Sequence, residues 1–190
     1  MTYTAKDFSN LIGMGGFSET ILTNHFTLYQ GYVTNTNKLN ELLNSKAKDA
    51  TNPEYAELKR RYGFEFNGMR LHEYYFENLG GKTPLDKSGT LAKQLADACG
   101  SYDTWEQDFR ATGAMRGIGW VVIYQDNVTG GLFNQWINEH EVGHLAGCSP
   151  LLVMDVFEHA FITDYGLKRA DYIAAFFNNI SWRAVESRLK

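Results

Sequence analysis

Histidine is the residue type that carries the clearest chemical signal in this 190-residue chain. Three of its five histidines stand in helical or turn segments close to large hydrophobic residues. A buried imidazole is costly unless it is hydrogen-bonded or bound to a metal ion. A single histidine of this kind is more often a hydrogen-bonded core residue than a ligand, so a metal site has to be argued from a combination of residues.

The segment from Asp155 to His159 supplies such a combination. A carboxylate and an imidazole stand four residues apart, directly after the apolar run 151–154. This spacing can bring both side chains to one side of a helix, or of a turn that leaves a strand. Mixed imidazole and carboxylate ligands suit iron, manganese or zinc. They are not the ligands of the soft metal sites that are built from thiolates. Two more ligands are needed, and His25 and His72 are the candidates that the spacing suggests.

Two long helices are expected to position these two histidines. Apolar residues recur at near-helical spacing over 18–48, with Ser18 as the N-cap, and a second helix is predicted over 53–79. The second helix begins with a proline and ends at Gly80 and Gly81, which is typical start and stop chemistry. The two helices form a hairpin that can present one histidine from each arm to the same point.

The second half of the chain changes from helical to strand periodicity after residue 117. Helices are predicted over 91–99, 102–115 and 168–189, and strands over 120–124, 132–137 and 151–154. We therefore expect an α+β fold: an N-terminal helical hairpin domain, residues 1–82, and a C-terminal α/β lobe, residues 83–190, with a small three-stranded antiparallel sheet. The metal site is expected between the two domains.

Composition excludes several classes of protein. A hydrophobic content of 44% with only 3 prolines is typical of a globular chain. The net charge of −4 gives no basic surface for nucleic acid, and no apolar run reaches the roughly 18 residues of a membrane span. The N-terminus lacks the pattern of a signal peptide. Cys99 and Cys148 show no CxxC spacing, which argues against a zinc ribbon or a thioredoxin-like site and fits a reducing compartment. A cytoplasmic location is expected.

Several motifs of the chain resemble those of the iron/manganese superoxide dismutases. The segment 150–161, followed by 168–172 and 177–182, is similar to the C-terminal signature of that family. The turn from Gly117 to Trp120 resembles the family's turn into its first strand, and His72 with the aromatic residues after it resembles the ligand histidine of the second helix. The resemblance covers nearly the whole chain and is weakest at the N-terminus.

This resemblance implies a superoxide dismutase with one iron or manganese ion per subunit, alternating between the trivalent and divalent states. His25, His72, Asp155 and His159 would bind the ion, and a solvent molecule would complete its shell. Glu158 would reach His159 of the partner subunit, which implies a homodimer or homotetramer. Superoxide would be the substrate, and neither nucleic acid nor a membrane is expected as a partner, given the charge and hydropathy described above. The sequence does not choose between iron and manganese.

The residues that hold the solvent molecule resemble one of two arrangements in the family. Family members hold the solvent molecule with a side chain from the second helix or from the turn before the last strand. Gly68 has no side chain to offer, which favours the second arrangement and assigns this role to His140. Glu139 and His144 remain alternatives if the loop is shifted.

A gateway tyrosine, which relays protons, is implied as well. Tyr32 resembles it, although its spacing from His25 is one residue short of the family's, and Tyr29 is the other candidate. Arg169 resembles the basic residue near the substrate channel, and Arg70 is a weaker candidate for the same role. An aromatic wall around the site is expected from Tyr75, Phe76, Trp120, Phe157 and Trp182.

Two other functions compete with this interpretation. Residues 140–144 spell HExxH, the zinc metalloprotease motif, which requires both histidines on one helix. A loop is predicted here instead, because the segment and the residues after it contain Gly143, Gly147 and Pro150. The remaining alternative is a metal-binding relative of the dismutases that has lost its activity.

Overall fold

The computed structural model describes residues 2–49 and 51–190. Helices α1, Glu19–Lys46, and α2, Pro53–Glu77, form the predicted antiparallel hairpin. Ser18 caps α1 by accepting a hydrogen bond from the amide of Ile21, and Asn52 caps α2 in the same way from the amide of Glu54. Both helices begin and end within two residues of the predicted bounds, and they carry His25 and His72 on facing sides.

Two further helices and the sheet follow the hairpin. The helices are α3, Thr90–Cys99, and α4, Tyr102–Ala114, and the strands are β1, Gly119–Asp126, β2, Leu132–Asn138, and β3, Cys148–Asp155. The strand order is β2-β1-β3 and both pairings are antiparallel, which confirms the predicted sheet and fold class. The register pairs Trp120 with Asp155, so an aromatic side chain stands beside the last residue of β3.

The C-terminal helical region differs from the sequence prediction. Three helices, α5, Ile162–Tyr165, α6, Arg169–Asn178, and α7, Trp182–Glu186, follow a short 3₁₀ turn at Glu158–Ala160. The prediction of one helix over 168–189 is wrong, because the chain leaves the helical path at 179–181 to bond with the end of α2. The amide of Ser181 donates to the carbonyl of Asn78, and the amide of Gly81 donates to the carbonyl of Asn179.

Buried apolar residues from both halves of the chain form one continuous core. The C-terminal part of α2 packs on β3, and the side chain of Asn78 donates to the carbonyl of Val153 at 2.6 Å. Because both halves of the chain share this core, the core does not mark a domain boundary, and the division between residues 82 and 83 stays a prediction. Within the described residues, none of the helices combines the length and hydropathy of a membrane-spanning helix.

Candidate metal centre

Four side chains from distant parts of the chain converge in the core between the hairpin and the sheet. His25 comes from α1, His72 from α2, Asp155 from the end of β3 and His159 from the 3₁₀ turn that follows. One ligand atom from each lies within 4.8 Å of all the others. Metal–nitrogen and metal–oxygen bonds are about 2.0–2.2 Å long, so atoms at such separations can reach one ion.

Asp155 lies at the centre of the cluster. Its Oδ2 atom is 3.1 Å from Nε2 of His25 and 3.1 Å from Nε2 of His159. Its Oδ1 atom accepts a hydrogen bond of 2.8 Å from the amide of Phe157, and its carbonyl accepts one from the hydroxyl of Tyr172. The carboxylate is therefore held in one orientation, with Oδ2 directed at the imidazoles.

His72 presents an unpaired lone pair to the cluster. Its Nδ1 atom lies 2.6 Å from the carbonyl oxygen of Gly68, and because a carbonyl only accepts, Nδ1 carries the proton. Its Nε2 atom is then a bare acceptor, fully buried and 3.8 Å from Oδ2 of Asp155. Across residues 2–49 and 51–190, no donor forms a hydrogen bond to this atom. A buried polar atom without a partner is costly, and a cation would satisfy it.

Three of the four groups, His25, His72 and Asp155, have the protonation states that a cation needs. Burial opposes the charge of the fourth, but the carboxylate of Asp155 raises the pKa of His159, so a metal ion has to displace that proton. Burial lowers the pKa values of His25 and His72, so both imidazoles are neutral at pH 7. Burial alone would raise the pKa of Asp155, but the charge of His159 and hydrogen bonds from His159 and His25 hold it well below its ordinary value. Neutral imidazole and ionised carboxylate are the ligating forms of these groups, and this donor set suits iron, manganese or zinc.

His140 lies next to the cluster and is fully buried. The indole nitrogen of Trp120 is 3.0 Å from its Nδ1 atom, and the hydroxyl of Tyr32 is 2.7 Å from its Nε2 atom. Burial lowers the pKa of His140 to about 4, so the ring is neutral. Since an indole only donates, Nδ1 is the acceptor and Nε2 carries the proton. His140 therefore donates a hydrogen bond to the oxygen of Tyr32.

Gly68 makes room for this arrangement. A Cβ atom at Gly68 would lie 2.6 Å from a carbon of the Tyr32 ring, well inside any real contact distance. The ring of Tyr32 therefore occupies the space that a side chain at position 68 would take. The residue at position 68 and the position of Tyr32 are thus coupled, because a side chain at position 68 would take the space of the ring that bonds to His140.

Tyr29, the other gateway candidate, points away from the site. Its hydroxyl donates to Glu73 at 3.0 Å and accepts a hydrogen bond from the amide of Lys6, and the side chain is 1% exposed. Glu139 is exposed on its turn. Of the residues that the sequence left open, the structure brings Tyr32 and His140 together beside the metal cluster and leaves Tyr29 and Glu139 outside it.

The HExxH segment is a loop and not a helix. Residues 139–147 connect β2 to β3, and the backbone of Gly143 has a φ angle of 109°. The ring of His140 points into the core, whereas that of His144 is bonded to the hydroxyl of Tyr124. The two imidazoles do not share a metal site, so the geometry that a zinc protease needs is missing from this segment.

The two arginines differ in what neutralises them. Arg169 donates to the carbonyls of Met115 and Gly117, at 2.6 and 2.9 Å, and its guanidinium lies over the ring of Phe161. Arg70 is instead paired with the carboxylate of Glu73. Carbonyl oxygens carry no formal charge, and no carboxylate of residues 2–49 or 51–190 forms an ion pair with Arg169. Of the two arginines, Arg169 is therefore the stronger source of positive potential.

Phe64 is a residue of the site that sequence reasoning missed. Its ring contacts His140 at a centroid distance of 4.6 Å and Tyr32 at 6.3 Å, and the guanidinium of Arg61 lies 4.2 Å from its centre. The signal was present in the helical spacing, because Phe64 stands about two turns before His72 on α2. It therefore extends the wall of the site beyond the aromatic residues expected from the sequence.

Comparison with known proteins relates the chain to one family. Residues 87–188 match the model for "Iron/manganese superoxide dismutases, C-terminal domain". A superoxide dismutase [Fe] of Aquifex pyrophilus is 36% identical over 195 residues, covering 97% of this chain and 90% of that protein. The superoxide dismutase [Mn] 2 of Haloferax volcanii is 32% identical over 166 residues, covering 87% of this chain and 83% of that protein.

Proposed function

Since the chain belongs to the iron/manganese superoxide dismutase family, we propose a specific role for each residue of the site described above. The chain is a superoxide dismutase and uses one iron or manganese ion. In the proposal, His25, His72, Asp155 and His159 bind that ion, and Tyr32 with His140 handles protons. The ion, when bound, alternates between its trivalent and divalent states, which lets it take an electron from one superoxide and give it to another.

The observation that carries the ligand assignment is the bare Nε2 atom of His72. It is buried, aimed at Oδ2 of Asp155 and without a hydrogen-bond partner among the described residues. The second nitrogen of the ring is held by the carbonyl of Gly68, which fixes the ring and its tautomer. A structural role for His72 would leave this lone pair unsatisfied, whereas a metal ligand needs it.

Tyr32 is the proposed proton donor. Burial raises the pKa of its hydroxyl, so the phenol keeps its proton at neutral pH. Because Nε2–H of His140 donates to the tyrosine oxygen, the tyrosine's own proton is left to point elsewhere. When Tyr32 gives that proton to the reduced substrate, the N–H of His140 stays hydrogen-bonded to the phenolate and stabilises its charge.

Trp120 acts on His140 and not on substrate. Its indole N–H keeps Nδ1 of His140 unprotonated, so that the proton of the neutral ring stays on Nε2. Phe64 meets the ring of His140 edge-on, with the ring centroids 4.6 Å apart, and Phe157 lies 4.8 Å from the same ring, so both aromatic side chains shield His140 from water.

Arg169 is the proposed source of positive potential for the superoxide anion, since its guanidinium bonds to backbone carbonyls and not to a carboxylate.

A homodimer or homotetramer is the proposed assembly. Glu158 is exposed and next in sequence to His159, whose side chain is 30% exposed and therefore reachable from outside the subunit. Ile162 is 47% exposed and Leu167 is 96% exposed on the same stretch of chain. Burial of these apolar side chains would favour association, and Glu158 would then accept a hydrogen bond from His159 of the partner subunit.

The proposed location is the cytoplasm. Cys99 and Cys148 are both free thiols, and thiols of this kind persist in a reducing compartment. Cell fractionation with an antibody to the chain tests this. Recovery of the protein mainly outside the cytoplasm would contradict the proposal.

Metal analysis combined with a superoxide assay tests the residue assignments. The wild-type protein is expected to hold about one iron or manganese ion per subunit and to dismutate superoxide rapidly. His159→Ala should lose the metal and the activity together, whereas His140→Ala and Tyr32→Phe should keep the metal and lose activity. Full metal retention by His159→Ala would refute the ligand set, and full activity of both other variants would refute the proton route.

A further inference from the structure

His144 is hydrogen-bonded through both nitrogens of its ring, although it lies in a loop and the proposed function does not use it. Its Nε2 atom is 2.9 Å from the backbone carbonyl oxygen of His140. Its Nδ1 atom is 2.6 Å from the hydroxyl of Tyr124. A carbonyl only accepts, so Nε2 carries the proton and Nδ1 accepts the proton of Tyr124.

Tyr124 is a firm anchor for this bond. It belongs to β1, the central strand of the sheet, and its side chain is 3% exposed. Burial raises the pKa of its hydroxyl, so it remains a donor at all moderate pH values. The hydrogen bonds from Tyr124 to His144 and from His144 to the carbonyl of His140 therefore tie the loop to the most buried strand of the protein.

The first part of the loop needs such a tie because of its backbone conformation. The far end is held separately, since the carbonyls of Leu145 and Gly147 accept hydrogen bonds from the amides of Cys148 and Asn127. Residues 139–147 contain Glu139, a non-glycine residue with a positive φ of 51°, and the left-handed glycines Gly143 and Gly147. One pair of backbone hydrogen bonds, between Asn138 and Val142, closes its first turn. A non-glycine residue with a positive φ, such as Glu139, persists only where its surroundings hold it, whereas glycine adopts such angles freely.

We propose that His144 and Tyr124 are positioning residues, which fix the backbone of His140 and thereby hold its ring against Tyr32. This inference rests on the role proposed for His140. The carbonyl that His144 holds belongs to the same residue as the ring, so a displacement of the backbone at residue 140 also moves the Cα atom that carries the ring. The contact that such a displacement would lengthen is the 2.7 Å hydrogen bond between Nε2 of His140 and the hydroxyl of Tyr32.

The HExxH spacing takes on a meaning different from that of a protease. A four-residue separation lets the chain turn back so that the second histidine reaches the carbonyl of the first. The motif is then a turn in which the side chain of His144 bonds to the backbone of His140. The ring of His140 belongs to the site, and His144 fixes the backbone that carries this ring. Glu141, the catalytic base in a protease, has no part in either bond and supplies a matched control.

The expected loss of activity is moderate. Trp120 still holds the ring of His140 when His144 is removed, so the ring is loosened and not released. Of the two bonds that His144 forms, only the one to the carbonyl of His140 acts directly on the backbone that carries the ring, and the loss of one hydrogen bond of ordinary strength corresponds to a rate reduction of about three- to tenfold. The control Glu141→Gln is expected to keep wild-type activity.

The experiment compares His144→Leu, His144→Gln and Tyr124→Phe as metal-loaded enzymes of equal metal content. Leucine removes both bonds, whereas the amide of glutamine can donate to the carbonyl and accept from Tyr124. His144→Leu should show a lower kcat and faster hydrogen exchange at the amides of Asn138 and Val142. Crystal structures should show a His140–Tyr32 distance beyond about 3.2 Å. His144→Gln should restore all three properties, and Tyr124→Phe should show a smaller loss.

Two outcomes would overturn the proposal. One is a His144→Leu enzyme that keeps its activity and its His140–Tyr32 distance. The other is an equal loss in the leucine and glutamine variants, because the side chain would then matter for something other than these two bonds. If His144→Leu does not fold, the distance and activity of Tyr124→Phe decide, since that change removes a single hydroxyl.

Failure of the proposed function gives a different result. If His140→Ala retains full activity, the role of His140 is wrong, whatever His144 does. The distance between His140 and Tyr32 in the His144→Leu crystal still reports whether the loop is held by this bond. A low activity of His140→Ala together with an unchanged His144→Leu enzyme would refute the positioning role alone.

Discussion

The buried side chains of His72 and Asp155 face each other with Nε2 and Oδ2 3.8 Å apart, too far for a hydrogen bond. The ring of His72 is held by Gly68 in the tautomer that leaves Nε2 bare. The Nε2 atom of His72 therefore has no hydrogen-bond partner among the described residues, whereas Asp155 is bonded to His25, His159 and the amide of Phe157. A cation between them would bond to both, so the pair makes stability depend on the metal.

Removal of the metal should therefore destabilise the protein. A ligand that binds only the folded state adds about 2.7 kcal/mol when its free concentration is 100 times its Kd. Chelation of the wild-type protein is expected to lower the Tm clearly, as measured by calorimetry with and without chelator. In His159→Ala, which lacks one ligand, the chelator should change the Tm much less. An equal shift in both proteins would contradict the ligand set.

Gly68→Ala should disturb the site from the helix side. The added Cβ would lie 2.6 Å from the ring of Tyr32, so the ring must move away from His140. A displacement of about 1 Å at a reacting group can cost about 100-fold in rate, and we expect a loss of roughly 10- to 100-fold in kcat. Measurement of kcat at equal metal content checks this.

Gly63→Ala is the matched control on the same helix. The nearest atom to its added Cβ is Oε2 of Glu141 at 3.8 Å, which is an ordinary contact. Alanine is favoured over glycine in a helix by about 1 kcal/mol, so this variant should be slightly more stable and fully active. If both variants lose activity alike, contact with Tyr32 is not the cause.

Trp120→Phe should weaken the proton route without removing it. Phenylalanine keeps an aromatic ring in the core but cannot donate to Nδ1 of His140. The neutral ring of His140 can then carry its proton on either nitrogen, and only one form donates to Tyr32. The expected result is a several-fold lower kcat with unchanged metal content. An unchanged kcat would show that the indole does not set the tautomer.

Glu77 should contribute a stability that is lost in acid. Burial opposes its ionisation, but hydrogen bonds from Lys6 and Arg188, at 2.7 and 2.9 Å, lower its pKa below the usual value of 4.5. A group whose pKa is lower in the folded state stabilises the fold above the unfolded pKa and loses this effect as the pH falls through the folded one. The side chain is 37% exposed, so solvent screening keeps the effect below about 1 kcal/mol.

Urea unfolding of the chelated protein between pH 3 and pH 7 measures this contribution. Glu77→Gln should be less stable than the wild type at pH 7, and the difference should shrink as the pH falls towards 3. Glu41→Gln, on the exposed side of α1, is the control and should follow the wild type throughout. A difference that grows in acid would reverse the sign and exclude this explanation.

Ile162→Lys should weaken the proposed subunit contact. Ile162 is 47% exposed and lies near Glu158 in the chain, and a lysine there would place a charge in an apolar interface. Sedimentation is expected to show a smaller species than the wild type at the same concentration. Val128→Lys, at a 90% exposed position on a turn of the sheet, should leave the assembly intact. Identical sedimentation of both variants and the wild type would place the interface elsewhere.

The amino-acid sequence by itself predicted the helical hairpin and the three strands. It also singled out the cluster of His25, His72, Asp155 and His159 that the structure brings together. The elements could be predicted because helical and strand periodicity are local properties of side-chain spacing. The four clustered residues were found because their motifs resemble those of a known family, whereas their spacing alone only suggested a site.

Tertiary structure decided what depends on contacts between distant residues. The break of the last helix at 179–181 follows from hydrogen bonds to the end of α2, which no local pattern encodes. The structure assigns the position beside His140 to Tyr32 and not to Tyr29, because the ring of Tyr32 fills the space next to Gly68. The tautomer of His140 depended on an indole 20 residues away. Such relations are properties of packing, because a side chain's partners are set by where the whole chain places them and not by its neighbours in sequence.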